Sequence, residues 1–157
     1  ARVGTAIASV IVSVGGYHDH ADVLRGSALL EEGDFPGATS AYERVVDRST
    51  TPHLSAAAKS LLVATCIRAE DPHRAVQIAS RFHVDLKDDR CYWLNLATAN
   101  ATLGNVADAL FALEQLRGIP VGREARAWWT ASLQSKLSWF AKRLGLDPDT
   151  TATSLGI

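Results

Sequence analysis

The sequence predicts an all-α protein, a solenoid of repeated helical hairpins, and three observations support this fold class. Apolar residues recur at spacings of three and four, and no segment keeps the two-residue alternation of a strand. Residues 89–118 contain two such apolar stripes, separated by a glycine. Similar patterns begin 34 and then 37 residues earlier in the chain. This recurrence indicates repeated units, not one irregular helical core.

The segment 89–118 is predicted to fold as a helical hairpin. Its first helix carries an apolar face made of Trp93, Leu96, Ala97 and Leu103. Gly104 is expected to end this helix, and Asn105 to cap the next one. The second helix carries a stripe that consists of Ala107, Ala109, Leu110, Leu113 and Leu116. Such a hairpin cannot bury both apolar faces alone, so it needs neighbouring hairpins.

This hairpin resembles a tetratricopeptide repeat, a 34-residue unit with large and small apolar residues at fixed positions of two helices. Counted from Arg90 as the first position, matches fall at the fourth, seventh, eighth, fifteenth, twentieth and twenty-fourth: Trp93, Leu96, Ala97, Gly104, Ala109 and Leu113. Asn100 and Leu116 depart from the family pattern. The resemblance implies a right-handed superhelix.

Two earlier segments match the same pattern in phase. Counted from Ala56, the matching residues are Leu62, Ala75 and Ala79, whereas Val63 and Cys66 depart from the pattern. Counted from Asp19, the matching residues are Gly26, Leu29, Gly33, Ala38, Tyr42 and Val45. The three additional residues fall in the connection 49–52, where a turn tolerates insertion.

These matches divide the chain into four parts: an apolar segment at 1–18, three hairpins at 19–118, a capping helix within 119–145 and a tail at 146–157. The first two hairpins are predicted as helices 21–32 with 36–48, and 53–69 with 72–82. Asp19, Asp71 and either Asp88 or Asp89 are the expected N-caps. A helix at 123–144 is expected to cover the last hairpin with a stripe of Trp129, Leu133, Leu137, Phe140 and Leu144. The tail is polar, lacks periodicity and is expected to be loose.

The apolar segment allows three interpretations. Residues 3–16 carry no charge, and they are fewer than the roughly 20 residues that a membrane-spanning helix requires. They form a packed helix over the first hairpin, or the remainder of a membrane anchor, or the core of a signal peptide. The membrane interpretation would place the protein at a membrane, and otherwise a cytoplasmic location is expected.

Composition and motifs favour binding over catalysis. Sixteen basic and 17 acidic residues are dispersed along the chain, which gives no basic footprint for nucleic acid. His18 and His20 flank Asp19, but no third metal ligand has a defined spacing, so a helix start is favoured over a metal site. Cys66 and Cys91 are expected to be small buried residues. No catalytic or phosphate-binding motif is present, and we expect no enzyme activity, cofactor or metal.

The resemblance implies a concave groove lined by the first helix of each hairpin. The residues assigned to partner binding are Val23, Leu24, Ser27, Leu61, Arg68, Leu94, Asn95, Thr98 and Thr102. The family's clamp for a peptide carboxylate terminus requires Lys, Asn and Arg where this chain has Val23, Ser27, Leu61, Cys91 and Asn95. We therefore expect no such clamp. The apolar character of the groove suits an apolar helix or an extended segment of a partner, or the chain's own terminal helix.

Trp128 and Trp139 are a second candidate site. Their separation of eleven residues is close to three helical turns, so both lie on one face of the predicted capping helix. They either widen the contact of that helix with the last hairpin or form an exposed aromatic anchor for a partner.

Two functional classes follow from these predictions. The first is a protein–protein interaction scaffold, an adaptor or an accessory subunit of a larger assembly, which membrane attachment through residues 3–16 would place at a membrane. The alternative is a regulatory or ligand-sensing domain of a longer signalling protein. Homo-oligomer formation is compatible with both.

Overall fold

The structure is a computed structural model, and it describes residues 18–157. The predictions for residues 3–16 therefore concern residues outside the described range. Residues 18–157 form helices and no strand, so the predicted all-α class is confirmed for this range. The helices are α1 (His18–Glu32), α2 (Phe35–Arg48), α3 (Pro52–Arg68), α4 (Pro72–Arg81), α5 (His83–Leu86), α6 (Arg90–Leu103), α7 (Val106–Gly118), α8 (Arg126–Leu144) and α9 (Pro148–Leu155).

Local signals explain where the central helices begin and end. Asp71 and Asp89 are N-caps, and each carboxylate accepts a hydrogen bond from the backbone N–H three residues later, at 3.1 Å. Gly104 ends α6 in the left-handed conformation, with φ of 78°. Asn105 occupies the N-cap position of α7, but its side chain makes no capping hydrogen bond. The predicted N-cap positions are therefore confirmed at Asp71, Asp89 and Asn105, and the two aspartates alone among these three form a side-chain capping bond.

The helices pack in an ordered series. Helix α1 packs against α2, α2 against α3, and α3 against α4. The series continues with α4 against α6 and α6 against α7. In addition, α1, α3, α6 and α8 contact one another in that order and form a row. Because α2 contacts both α1 and α3, and α4 contacts both α3 and α6, these two helices lie against the gaps of that row. The row places α3, α6 and α8 side by side, so side chains of all three helices can line one groove.

The core is made largely of the residues that define the predicted hairpins. Trp93 is 3% exposed, and small residues beside it allow the helices to approach closely. Fully buried members of this set include Ala38, Tyr42, Val45, Ala75, Ala79, Ala97, Ala109 and Leu113. The alternation of alanine with large side chains on facing helices therefore explains the close packing of successive helices.

The contact between α1 and α2 depends on the absence of a side chain at Gly26. A Cβ atom at this position would lie 2.5 Å from Cε1 of Tyr42. The Tyr42 ring is fully buried, and its hydroxyl is 3.2 Å from the Ser27 hydroxyl, so the ring has little room to move. The predicted small residue at this position is therefore required by the packing of one aromatic ring.

We predict that Gly26→Ala lowers the free energy of unfolding by about 1–2 kcal/mol, because the clash exceeds the gain in helix propensity. Urea unfolding followed by the helical circular dichroism signal measures this change. Gly118→Ala is the matched control, since a Cβ at Gly118 meets no atom within 4 Å. The control should be neutral or slightly stabilising, and equal losses in both variants would contradict the prediction.

A charged cluster also joins α1 to α2. The Asp22 side chain is 9% exposed and accepts hydrogen bonds from Arg44 at 3.0 Å and from Arg48. Asp19 lies inside α1 and accepts a hydrogen bond from Arg48 at 2.8 Å, which holds the pKa of its carboxyl below the ordinary value. The predicted role of Asp19 as an N-cap is therefore wrong. The arginines lie on α2, and only the pairing of the two helices brings these charges together.

The expected loose tail is wrong, because residues 148–155 form the helix α9. Asp147 caps this helix by accepting a hydrogen bond from the Thr150 N–H at 2.9 Å, and Thr151 and Leu155 are buried. Helix α9 packs against both α7 and α8. The predicted stripe of α8 is buried at Leu133, Phe140 and Leu144, but α8 covers the last hairpin together with α9, not alone.

Candidate partner-binding groove

A groove of about 670 Å³ lies where α6 and α8 face the end of α3. We call it the α3/α6/α8 groove. The connection between α3 and α4 forms one side, α6 forms the floor and α8 forms the opposite wall. Its lining residues are Ile67, Glu70, Pro72, Thr98, Thr102, Ser135, Lys136, Trp139 and Arg143.

The floor of the groove presents two threonine hydroxyl groups, one turn apart on α6. The Thr98 hydroxyl donates to the Leu94 carbonyl at 2.8 Å, and the Thr102 hydroxyl donates to the Thr98 carbonyl at 2.8 Å. Each hydroxyl therefore uses its single hydrogen within its own helix, and its oxygen lone pairs are left to accept. The floor consequently offers hydrogen-bond acceptors and methyl groups to a ligand.

The wall formed by α8 is cationic and aromatic. Lys136, Trp139 and Arg143 follow one another at spacings of three and four residues, which places them on one helical face. The Arg143 guanidinium lies 5.5 Å from the centre of the Trp139 ring. In residues 18–157, neither Lys136 nor Arg143 has a carboxylate within 4.0 Å. Helix α8 contains four basic residues and no acidic residue, so this wall is positively charged.

Arg90 helps to hold α8 in place. Its guanidinium donates hydrogen bonds to the carbonyls of Leu116, at 2.8 Å, and of Ile119, at the end of α7. The same group lies 4.8 Å from the centre of the Trp129 ring on α8. Burial lowers the pKa of Arg90 from its ordinary value. Together with the buried side chains of α8, these contacts fix the wall of the groove relative to its floor.

The structure brings together only part of the predicted partner-binding set. Thr98, Thr102 and Trp139 line the α3/α6/α8 groove. Arg68 lies next to the lining residue Ile67, and its exposed side chain forms a salt bridge with Glu31 at 2.9 Å. The residues that do not line this groove are Val23, Leu24, Ser27, Leu61, Leu94, Asn95 and Trp128.

The residues outside the groove differ in how available they are to a partner. Val23, Leu61 and Leu94 are half-buried and pack against the core. Leu24 is 38% exposed, and Ser27 is engaged by the Tyr42 hydroxyl. Most of the side chains that were expected to form one apolar surface along three helices therefore pack within the protein.

Trp128 and Trp139 have different environments. Trp128 is 62% exposed and packs only edge-on against Trp129, at 5.1 Å between ring centres. Trp139 is half-buried, packs against Phe140 and lines the groove. Because eleven residues approximate three turns, Trp128 lies on the groove-facing side of α8, about 16 Å from Trp139 along the helix axis.

Six lining residues are absent from the two sets assigned from the sequence, and four of the six had a detectable signal. Ser135, Lys136 and Arg143 lie three or four residues from Trp139, so the helical spacing that singled out Trp139 also indicates them. Ile67 lies on the first helix of the second hairpin, at a repeat position that the family pattern directs into its groove. No local pattern points to Glu70 or Pro72, which follow that helix.

The two cysteines are free and lie in different environments. Cys66 is buried, and burial raises the pKa of its thiol. Cys91 is exposed near the start of α6, so the expectation that both are buried is wrong for Cys91. Within the described residues, no group of three or more His, Cys, Asp or Glu side chains is arranged to hold a metal. No helix of this range is long and apolar enough to cross a membrane.

A second cavity, of about 510 Å³, lies where α2, α3 and α4 meet. Its lining includes Thr39, Glu43, Cys66 and Arg74. The Arg74 guanidinium and the Glu43 carboxylate are 3.9 Å apart at its edge. This cavity is separate from the α3/α6/α8 groove and lies on the side of α3 that faces α2 and α4.

Comparison of the chain with protein-family models gave no match, and neither did comparison with curated proteins or with solved structures. The resemblance to tetratricopeptide repeats therefore stays a prediction from the residues that carry it.

Proposed function

We propose that this chain is a non-catalytic protein–protein interaction module, an adaptor or accessory subunit, and that a segment of its partner binds in the α3/α6/α8 groove. The observation that carries the proposal is that Thr98, Thr102 and Trp139, assigned to partner binding from the sequence, line one groove. We infer further that the helices form a tetratricopeptide-like solenoid. The hairpin order and the row of α1, α3, α6 and α8 support this inference.

The composition of the groove favours a peptide over a substrate. Its polar groups are hydroxyls, a lysine, an arginine and a glutamate, and they are spread over three structural elements. In the described range we find no nucleophile hydrogen-bonded to a base among these residues, which is the arrangement that covalent catalysis requires. A line of separate polar and apolar contacts instead suits an extended or helical segment of a protein.

The second candidate is a ligand-sensing domain, and the cavity between α2, α3 and α4 favours it. Its volume of about 510 Å³ lies within the range of small-molecule sites, and Arg74 supplies a cation at its edge. Ser40 on α2 also lines this cavity. Filling the cavity by Ser40→Tyr should abolish small-molecule binding there without affecting peptide binding at the α3/α6/α8 groove. The cavity-filling and groove-filling variants together therefore distinguish a ligand-sensing domain from a protein–protein interaction module.

We predict that peptides selected from a random display library against the full 157-residue chain lose affinity when the groove is filled. The variant Thr98→Tyr/Thr102→Tyr places two rings over the floor, and we expect binding to weaken about tenfold or more. Fluorescence anisotropy with the synthesised peptides measures the change. The helical signal of the variant must equal that of the wild type.

Gln77→Tyr is the control, because Gln77 is exposed on α4 and does not line the groove. This variant should bind the selected peptides with unchanged affinity. Peptides that bind the filled variant as well as the wild type, or a selection that yields no binder, would count against the proposed function.

A further inference from the structure

We propose that the α3/α6/α8 groove selects an extended peptide segment with acidic side chains, whose carboxylates contact Lys136 and Arg143 and whose backbone N–H groups face Thr98 and Thr102. This inference rests on the proposed function, because it assigns a chemical class to the partner of that groove. An acidic partner differs from the mainly apolar partner expected from the sequence. It follows from the hydrogen-bond donors and acceptors that line the groove.

The charge of the wall supplies the first argument. Lys136 and Arg143 lie about two turns apart on α8, and neither has a carboxylate partner within 4.0 Å in residues 18–157. Helix α8 has no acidic residue to offset their charge. A partner that brings carboxylates to this wall would therefore find complementary charge at an accessible surface.

The hydrogen-bond polarity of the floor supplies the second argument. The hydroxyl hydrogens of Thr98 and Thr102 are already donated to carbonyls of α6, so the oxygens can only accept. An extended peptide has free backbone N–H groups to donate, whereas a helical peptide has used most of its own internally. The floor thus favours an extended segment over an amphipathic helix.

The side of the groove opposite α8 favours one placement of the bound peptide. Glu70 lies across the groove from α8, at the end of α3, and has no basic side chain within 4.0 Å in the described part of the chain. It repels carboxylates on that side and favours their placement against α8. The Trp139 ring, beside Arg143, offers apolar surface to the side chain that follows the acidic residue.

The test uses the peptides selected against the wild-type protein, each synthesised with an amidated C-terminus so that the only carboxylates are side chains. We expect Asp and Glu to be enriched among groove-dependent peptides. Lys136→Glu and Arg143→Glu should each weaken binding about tenfold, and the double variant should select peptides rich in Lys and Arg instead. Lys142→Glu is the matched control, since Lys142 is exposed on α8 outside the lining.

Isosteric variants test the extended conformation. Thr98→Val and Thr102→Val keep the shape of the floor and remove its acceptors, so each should weaken binding about fivefold. Unchanged or tighter binding would show that the partner makes no hydrogen bond there, and would overturn the extended-segment inference. Lys136→Gln, which removes the positive charge without reversing it, should weaken binding less than Lys136→Glu.

The failure of this inference differs from failure of the proposed function. Groove-dependent peptides without acidic enrichment, or peptides insensitive to both charge reversals, would overturn the acidic partner and leave the proposed function intact. A selection that gives no peptide sensitive to Thr98→Tyr/Thr102→Tyr would overturn both.

Discussion

Replacing Trp93 with alanine is expected to lower the free energy of unfolding by about 3–5 kcal/mol, as for other buried aromatic side chains. Trp93 is 3% exposed, and its ring lies 4.9 Å from Tyr92 and 5.4 Å from His83. Its indole N–H also donates to the Lys87 carbonyl at 2.7 Å, so the substitution leaves a cavity and also removes this hydrogen bond.

Because small domains are stable by only about 5–15 kcal/mol, this loss would bring the protein close to unfolding. Urea unfolding followed by circular dichroism measures it. Phe111→Ala is the matched control, because Phe111 contacts Trp93 edge-on at 6.1 Å but is 54% exposed. We expect a loss of about 1 kcal/mol or less in the control. A similarly small loss for Trp93→Ala would contradict its central position in the core.

The second large effect is expected at the C-terminal helix. Leu155→Ala should lower the free energy of unfolding by about 2–4 kcal/mol, since Leu155 is 1% exposed and α9 packs against α7 and α8. The same denaturation experiment applies. Deleting residues 147–157 should destabilise the protein further, because it uncovers the apolar surface of both helices.

Thr153→Ala is the control for this prediction, because Thr153 lies on the exposed side of α9. Its hydroxyl donates only to the Asp149 carbonyl of its own helix, at 3.0 Å, so the substitution should change stability by about 0.5 kcal/mol or less. If the variant that lacks residues 147–157 is as stable as the full-length chain, the result would instead support the loose tail that the sequence pattern predicted.

The error at the tail has a physical reason. Asp147 followed by Pro148 can end the preceding helix, yet the same pair is also a strong start signal for a new helix. Gly156 ends that helix in the left-handed conformation, with φ of 75°. Only Thr151 and Leu155 are buried, so the apolar stripe is too short to stand out in the sequence. Contact with α7 and α8, and not periodicity, decides that this segment is covered.

The sequence by itself determined the all-α class, the hairpin helices to within three residues of their observed bounds, and the repeat positions of small and large residues such as Gly26 and Tyr42. These features are local, because helical periodicity, capping residues and glycines act over a few residues. They also place Thr98, Thr102 and Trp139 on faces that a partner could reach.

Only the tertiary structure decided which of the assigned residues share a site. The groove joins Ile67 and Glu70 of one hairpin, the threonines of the next, and Lys136 and Arg143 of α8. Those groups are far apart in the chain, and contacts such as that of the Arg90 guanidinium with the Trp129 ring help to hold α8 in place. Charge and hydrogen-bond polarity at the site are therefore properties of the packed helices, which no single segment carries.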